Sequence, residues 1–206
     1  TLHNFNFIAE KDIRIRDKVL IKRAGDVIPY VIGPITSARS SAEQIFTIPT
    51  SCPSCGEPVE NLSGEVAYFC VNTSCPAQLV RNLEHFVSRG AMDIEGLGIR
   101  IVELLIGQGL IKDVADLYRL SKNDLLGLEG FGDKKADNLL EAIGRSRSQS
   151  LDRFITSLGI HGVGEVAAND LANYFGNLDN LMMAQPEEFQ KINGIGPNIA
   201  ISIRDW

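Results

Sequence analysis

Residues 128–136 read Leu128-Glu129-Gly130-Phe131-Gly132-Asp133-Lys134-Lys135-Ala136, an apolar residue, a glycine triplet and then a charged run that ends on alanine. The same Gly-hydrophobic-Gly triplet occurs four times, at Gly96-Leu97-Gly98, Gly130-Phe131-Gly132, Gly162-Val163-Gly164 and Gly194-Ile195-Gly196. Successive triplets are 34, 32 and 32 residues apart. A near-constant period of this size indicates a repeated supersecondary unit.

The residues around each triplet repeat as well. An aliphatic residue stands two positions before each one: Ile94, Leu128, Ile160 and Ile192. A small or β-branched apolar residue stands four positions after the second glycine: Val102, Ala136, Ala168 and Ala200. Further helices are predicted from Leu151, behind the N-cap residue Ser150, and at Pro186–Phe189. The pattern therefore predicts a helical region over 77–206, with hairpins near 94–98, 128–132, 160–164 and 192–196.

Glycine hairpins of this kind suit the binding of anions. Glycine tolerates positive φ and close approach by another backbone, so each hairpin exposes main-chain N–H groups at the start of a helix. Four such sites suggest a nucleic-acid phosphate backbone, bound without regard to base sequence. We expect Lys134 and Lys135 to reinforce the second hairpin, and Glu165 to weaken the third. The eight candidate contacts are Gly96, Gly98, Gly130, Gly132, Gly162, Gly164, Gly194 and Gly196.

The glycine triplets allow other interpretations. A helical scaffold with glycine turns remains an alternative to phosphate binding. The dinucleotide-binding fold is excluded because no G-x-G-x-x-G follows a strand. A P-loop is excluded because G-x-x-x-x-G-K-[ST] does not occur in the sequence.

All four cysteines lie in one window, at Cys52, Cys55, Cys70 and Cys75, as a Cys-x2-Cys pair and a Cys-x4-Cys pair separated by fourteen residues. Two close pairs on short turns can converge on one tetrahedral centre, and four thiolates close the coordination shell of a structural zinc ion. We therefore predict one Zn²⁺ per chain, held by a module over 50–76 that depends on it. Two disulfides of a secreted protein are the alternative.

Residues 1–49 are predicted as strands. Runs at 17–23 and 27–32 flank a turn at Ala24-Gly25-Asp26, and a further short strand is expected at 45–48. This segment holds seven Lys or Arg and five Asp or Glu, so it is the basic part of the chain. Two or three strands cannot close a sheet, which indicates an incomplete β unit.

The overall charge excludes the simplest class of nucleic-acid binder. The chain has 206 residues, with 20 Lys plus Arg against 26 Asp plus Glu, and a net charge of -6. A uniformly basic protein is thereby excluded, whereas phosphate binding through main-chain N–H groups is not. No apolar run approaches the roughly 18 residues of a membrane span, and no signal-peptide pattern is present.

The sequence resembles the bacterial NAD-dependent DNA ligases over essentially all of its length. The resemblance rests on Thr1-Leu2-His3-Asn4, the run from Ile13 to Val19, the run from Lys22 to Pro29, the cysteine module and the run from His85 to Ile94. It implies a multi-domain fold. A partial all-β OB-fold segment (1–49) and a small four-cysteine zinc finger (50–76) precede a mainly α helix-hairpin-helix domain with four repeats (77–206).

The resemblance also implies a function. Enzymes of this family seal 3′-hydroxyl/5′-phosphate nicks in duplex DNA during replication and repair, with NAD and Mg²⁺. Their adenylated lysine lies in a K-x-D-G motif, which does not occur in this chain. We therefore expect a fragment without a catalytic residue, which binds neither NAD nor Mg²⁺ and acts as a monomeric clamp on nicked double-stranded DNA in the cytoplasm. Further DNA contacts are expected from Lys22 and Arg23, then from Arg14 and Arg16.

Two other functions remain open. One is a freestanding zinc and helix-hairpin-helix module of a repair or recombination protein, and the other is a protein-interaction scaffold. The ligase interpretation predicts K-x-D-G in the coding sequence before Thr1, and the freestanding module predicts a start codon there. Absence of duplex binding at low salt would favour the scaffold.

Overall fold

The computed structural model describes residues 2–24, 28–61, 66–72 and 75–206. They form two compact units, Thr1–Cys75 and Pro76–Trp206. Gly25 and Asp26 of the predicted turn lie outside the described residues. None of the helices in the described ranges has the length and apolar character that a membrane span needs.

The first unit is built from short elements. They are α1 (Phe5–Glu10), β1 (Arg14–Ile15), β2 (Val19–Ala24), β3 (Ile28–Pro34), β4 (Gln44–Ile45), β5 (Val59–Asn61) and β6 (Tyr68–Cys70). Three antiparallel pairs result, β1 with β4, β2 with β3 and β5 with β6. The β2–β3 pair matches the predicted hairpin, with an irregularity between Leu20 and Ile21. The strand expected at 45–48 is shorter and ends at Ile45.

One part of the predicted β segment is helical instead. Phe5–Glu10 forms α1, because the Asn4 side chain caps the helix by accepting the Phe7 N–H at 3.0 Å. Asn at an N-cap satisfies a backbone donor that a helix otherwise leaves free. The aromatic side chain of Phe5 then lies between two rings, 5.3 Å from the centroid of Phe46 and 5.4 Å from that of Tyr68.

A buried carboxylate organises the turn that follows β1. Asp17 accepts two hydrogen bonds from the guanidinium of Arg39, each at 2.8 Å, and one from the Arg14 N–H at 2.8 Å. Arg39 also donates to a carboxylate oxygen of Asp12 at 2.8 Å. The Arg39 guanidinium holds the pKa of Asp17 at about 2. In this turn Arg16 adopts a positive φ of 75°, which residues other than glycine, asparagine and aspartate seldom adopt.

The second unit is helical, as the repeat predicts. Its helices are α2 (Pro76–Phe86), α3 (Ile99–Gly107), α4 (Lys122–Leu126), α5 (Asp133–Ser146), α6 (Leu151–Ser157), α7 (Glu165–Phe175), α8 (Leu178–Met183), α9 (Pro186–Phe189) and α10 (Pro197–Asp205). A 3-10 turn at Val114–Arg119 precedes α4. Both of the additional predicted helices are present, from Leu151 and at Pro186–Phe189.

The four repeats pack as two pairs. One core contains the apolar residues of the first two repeats, and a second core contains those of the last two. The residues of the sequence pattern lie in these cores: Val102, Ala136, Ala168 and Ala200 have no exposed surface. A small side chain at this position lets the helix approach its neighbour closely. Replacing alanine there by a larger residue would overpack the core.

Polar contacts join the two pairs within the second unit. The ring nitrogen Nε2 of His85, in α2, lies 2.7 Å from the carbonyl oxygen of Thr156 in α6. The Arg153 side chain donates to the carbonyl of Arg89 at 2.6 Å. The contact of His85 with Thr156 thus connects α2 and α6 through residues that are 71 positions apart in the sequence.

Candidate metal centre and nucleic-acid interface

The four cysteine side chains converge. All four Sγ atoms lie within 4.8 Å of one another. The Sγ atoms of Cys52 and Cys75 are 3.9 Å apart, and those of Cys55 and Cys70 are 3.4 Å apart. Zn–S bonds of about 2.3 Å in a tetrahedron put sulfur atoms about 3.8 Å apart. The cluster therefore fits one structural zinc ion.

Backbone bonds shape the turns that present the sulfurs. The carbonyl of Cys52 accepts the Gly56 N–H at 2.9 Å, and the Cys52 N–H donates to Glu57 at 2.7 Å. Gly56 has a positive φ of 79°, which closes the knuckle around the first cysteine pair. Cys70 ends β6, and the Cys75 N–H donates to Asn72 at 3.0 Å. Each pair thus lies on a short, hydrogen-bonded turn.

The crowded thiols are hard to ionise together without a cation. The backbone N–H groups of Cys55 and Ser54 lower the pKa of the Cys52 thiol. The Asn72 N–H lowers the pKa of Cys70, but burial and the thiols of Cys55 and Cys52 outweigh it and raise that pKa to about 12. A bound cation removes this penalty, so metal binding releases protons from the cluster.

Each glycine hairpin has the same backbone geometry. The first glycine has a positive φ: 85° at Gly96, 77° at Gly130, 82° at Gly162 and 86° at Gly194. The second glycine has an extended backbone and is the N-cap of a long helix: Gly98 for α3, Gly132 for α5, Gly164 for α7 and Gly196 for α10. No side chain of the described residues caps these four helices, so their first N–H groups are left for another acceptor; in α10 these begin at Asn198, because Pro197 has no N–H.

The hairpins are exposed while their apolar residues are buried. All eight glycines are exposed to solvent. The residue between each pair of glycines points into the core, and Leu97, for example, is 3% exposed. Seven of the eight glycines have open space where a Cβ atom would stand. The exception is Gly162, whose Cβ position lies 3.0 Å from Cγ1 of Ile199.

The two lysines after the second hairpin differ. Lys135 donates to the carbonyl of Gly130 at 3.2 Å, and its Nζ lies 4.1 Å from the ring centroid of Phe131. Lys135 is therefore held on its own hairpin. Lys134 makes no ion pair or hydrogen bond with any residue that the structure describes, which leaves its charge free.

The basic candidates of the first unit are also unequal. Lys22 and Arg23 lie exposed on β2, and Nζ of Lys22 is 5.2 Å from the ring centroid of its cross-strand partner Tyr30. Arg14 forms an ion pair with Asp12 at 3.0 Å, so part of its charge is neutralised. Arg16 is exposed on the turn that Asp17 closes. Arg39, which sequence reasoning missed, is engaged in organising this turn.

Family models match four segments of the chain. The NAD-dependent DNA ligase OB-fold domain matches residues 1–43, and the NAD-dependent DNA ligase C4 zinc finger domain matches residues 51–77. The chain carries these two domains of the NAD-dependent DNA ligase family. A SAM-like helix-hairpin-helix tandem matches residues 89–145, and a helix-hairpin-helix motif matches residues 153–206.

Curated relatives agree with this family assignment. The chain is 54% identical over 207 residues to a DNA ligase of Chloroflexus aggregans, and 52% identical over 206 residues to one of Herpetosiphon aurantiacus. It is 50% identical over 207 residues to a DNA ligase of Roseiflexus castenholzii. All of this chain is covered in each case, but it spans only 30%, 31% and 29% of the respective relatives.

The predicted fold class is thereby confirmed: an OB-fold segment, a four-cysteine zinc finger and helix-hairpin-helix repeats. The structural zinc of the prediction agrees with the ligase zinc finger and with the cysteine cluster. The individual DNA contacts stay predictions. Sequence patterns missed the contact of Ile199 with Gly162 in the third hairpin, whose only signal was an isoleucine where the second repeat has Lys135.

Proposed function

We propose that this chain is the duplex-gripping portion of an NAD-dependent DNA ligase that seals 3′-hydroxyl/5′-phosphate nicks in replication and repair. The two ligase-specific domains and the relatives named DNA ligase support the proposal. The chain spans about a third of those relatives, so the sealing reaction belongs to the whole protein. NAD and Mg²⁺ are required there, and this segment has no K-x-D-G lysine to receive an adenylyl group.

The observation that carries the proposal is the geometry of the four hairpins. Each presents uncapped backbone N–H groups at the start of a long helix, beside an exposed glycine with positive φ. Such donors, aided by the helix dipole, bind phosphate oxygens without base readout. Because they are neutral groups, an acidic chain can grip DNA through them.

The first unit supplies a second contact with the duplex in this proposal. Lys22 and Arg23 are exposed on β2, and Arg16 is exposed on the turn after β1. Arg14 contributes less because Asp12 pairs with it. Cys52, Cys55, Cys70 and Cys75 hold one Zn²⁺, which fixes the turns of the zinc finger but takes no part in the chemistry.

The experiment is a fluorescence-anisotropy titration of the chain with nicked duplex, intact duplex and single-stranded DNA, each in two unrelated sequences. We expect similar dissociation constants for the two sequences and tighter binding of both duplexes than of single strands. We also expect a modest salt dependence, because main-chain donors release few counterions. Absence of duplex binding at low salt overturns the proposal.

Two further measurements test the remaining parts of the proposal. Incubation of the chain with adenylate-labelled NAD and Mg²⁺ is expected to leave the protein unlabelled. Light scattering is expected to give the mass of one chain. Covalent labelling would show that the segment carries its own nucleophile, contrary to the proposal.

A further inference from the structure

We propose that the two helix-hairpin-helix pairs are not equivalent, and that a cleft between the first hairpin and α5 receives one phosphodiester of a DNA strand. At the corresponding place in the second pair, the side chain of Ile199 lies against the glycine of the third hairpin. This inference rests on the proposed function, because it assigns the phosphate grip to one part of the same interface.

The first pair contains an open cleft of about 530 Å³. The first hairpin contributes Glu95 and Gly96, and α5 contributes Lys134, Asn138 and Arg145. Phe131, Lys135, Leu139 and Glu141 also line it. A Cβ atom on Gly96 would meet no atom within 4 Å, so the hairpin backbone is accessible from this side.

The internal repeat locates the same place in the second pair. Counted from the glycines, Gly162 corresponds to Gly96, and Ile199 corresponds to Lys135. Cγ1 of Ile199 lies 3.0 Å from the Cβ position of Gly162, so an aliphatic side chain occupies the space beside this glycine, although the glycine itself stays exposed to solvent. The glycine there serves close packing, whereas its counterpart in the first pair is open.

The charges in the cleft match one phosphodiester. Its lining has three cationic groups, Lys134, Lys135 and Arg145, and two carboxylates, Glu95 and Glu141, a net charge of +1. Arg145 pairs with Glu141 at 2.9 Å and with Glu95 at 3.8 Å. Lys135 is held by the carbonyl of Gly130.

The remaining cation of the lining, Lys134, has no ionic or hydrogen-bonded partner among the described residues. Its counterpart in the second pair is the neutral Asn198. A single free positive charge beside an accessible hairpin backbone is complementary to the single negative charge of one phosphodiester. At this place the second pair has a neutral asparagine, and an isoleucine lies against the hairpin glycine.

The test uses paired substitutions at equivalent positions, measured by anisotropy with an intact duplex over a salt series. Lys134→Asn gives the first pair the residue of the second, and its control is Lys112→Asn, which removes the same charge outside the cleft. Asn138→Leu fills the cleft, and its control is Ser202→Leu at the equivalent position of α10. Far-UV circular dichroism and thermal melting establish that all four variants are folded.

We expect Lys134→Asn and Asn138→Leu each to raise the dissociation constant about tenfold, with both controls within about twofold of the unmodified chain. Lys134→Asn should also reduce the slope of log K against log salt by about one. If the unmodified chain binds duplex and each variant only matches its control, the inference is overturned and the proposed function stands. If the unmodified chain binds no duplex, both fail.

Discussion

Ile199 lies against Gly162, with its Cγ1 atom 3.0 Å from the place where a Cβ atom on that glycine would stand. Gly194, in the fourth hairpin, has a similar positive φ, 86° against 82°, but open space at its Cβ position. The first glycine of the triplet therefore has different roles in the third and fourth repeats, although the sequence pattern is the same. In the third repeat it permits both a left-handed backbone and close packing.

Gly162→Ala should destabilise the second unit more than Gly194→Ala does. Both substitutions place alanine at positive φ, which costs about 1–2 kcal/mol. Only Gly162→Ala also forces the new methyl group against Ile199, so we expect a further loss. Urea denaturation followed by far-UV circular dichroism measures the difference. Equal midpoints for the two variants would show that the Ile199 side chain moves away from the new methyl group without a loss of folding stability.

Cys70→Ser should abolish the binding of one zinc ion per chain while leaving the helices intact. Metal binding supplies the folding free energy of such modules, about 10–16 kcal/mol in zinc-finger peptides. The helices α2–α10 lie in the other unit. We expect elemental analysis to give one zinc in the unmodified chain, and hydrogen exchange to accelerate at β5 and β6 in the variant.

The zinc prediction has two clear contrary outcomes. An unmodified chain without zinc and with four titratable thiols would contradict the metal site. Loss of the far-UV helical signal in Cys70→Ser would mean that the zinc finger and the helical unit fold together.

Asp17 should make the first unit sensitive to acid in a defined range. Its pKa is about 2 because of the Arg39 guanidinium, against about 3.9 in an unfolded chain. A depressed carboxyl pKa stabilises the folded state above the unfolded pKa, and this stabilisation is lost as the pH falls through the folded value. We therefore expect stability to fall between about pH 4 and pH 2.

The measurement follows the amide resonance of Arg14, whose N–H donates to Asp17 at 2.8 Å. Its chemical shift should titrate with a midpoint near 2. In Asp17→Asn, the acid dependence of unfolding over this range should shrink, and the variant should be less stable than the unmodified chain at pH 7. A midpoint near 4 would show that Arg39 does not hold the carboxylate.

Gly132→Val should weaken duplex binding without unfolding the chain. Gly132 is the N-cap of α5 with an extended backbone, and a side chain there has open space. The added bulk would keep a phosphate from the N–H groups of the first turn. We expect about a tenfold rise in the dissociation constant, or about 1.4 kcal/mol, equal for unrelated DNA sequences. Gly107→Val, at the exposed end of α3, is the control, and equal affinities for the two variants would contradict a role for this hairpin.

Much of the site was predictable because it depends on local sequence. The spacing of Cys52, Cys55, Cys70 and Cys75 indicated a tetrahedral cluster, since short turns leave few arrangements for four sulfurs. The first glycine of every triplet has positive φ because the turn demands it. Helix α1 was missed because its N-cap, Asn4, precedes only six helical residues, too few for an apolar period to be recognised. The Arg39–Asp17 contact joins residues 22 positions apart, and no local pattern reports it.

The sequence by itself determined four helix-hairpin-helix repeats, a four-thiol module and a preceding β segment, because turn chemistry and apolar periodicity act over a few neighbouring residues. Only the tertiary structure decided that the four repeats pack as two pairs, that Lys135 is held on its own hairpin while Lys134 has no partner among the described residues, and that Ile199 lies against Gly162 of the third hairpin. Those outcomes depend on which side chains meet across a packed core. Steric fit between distant residues determines such contacts, and the repeat pattern leaves it unspecified.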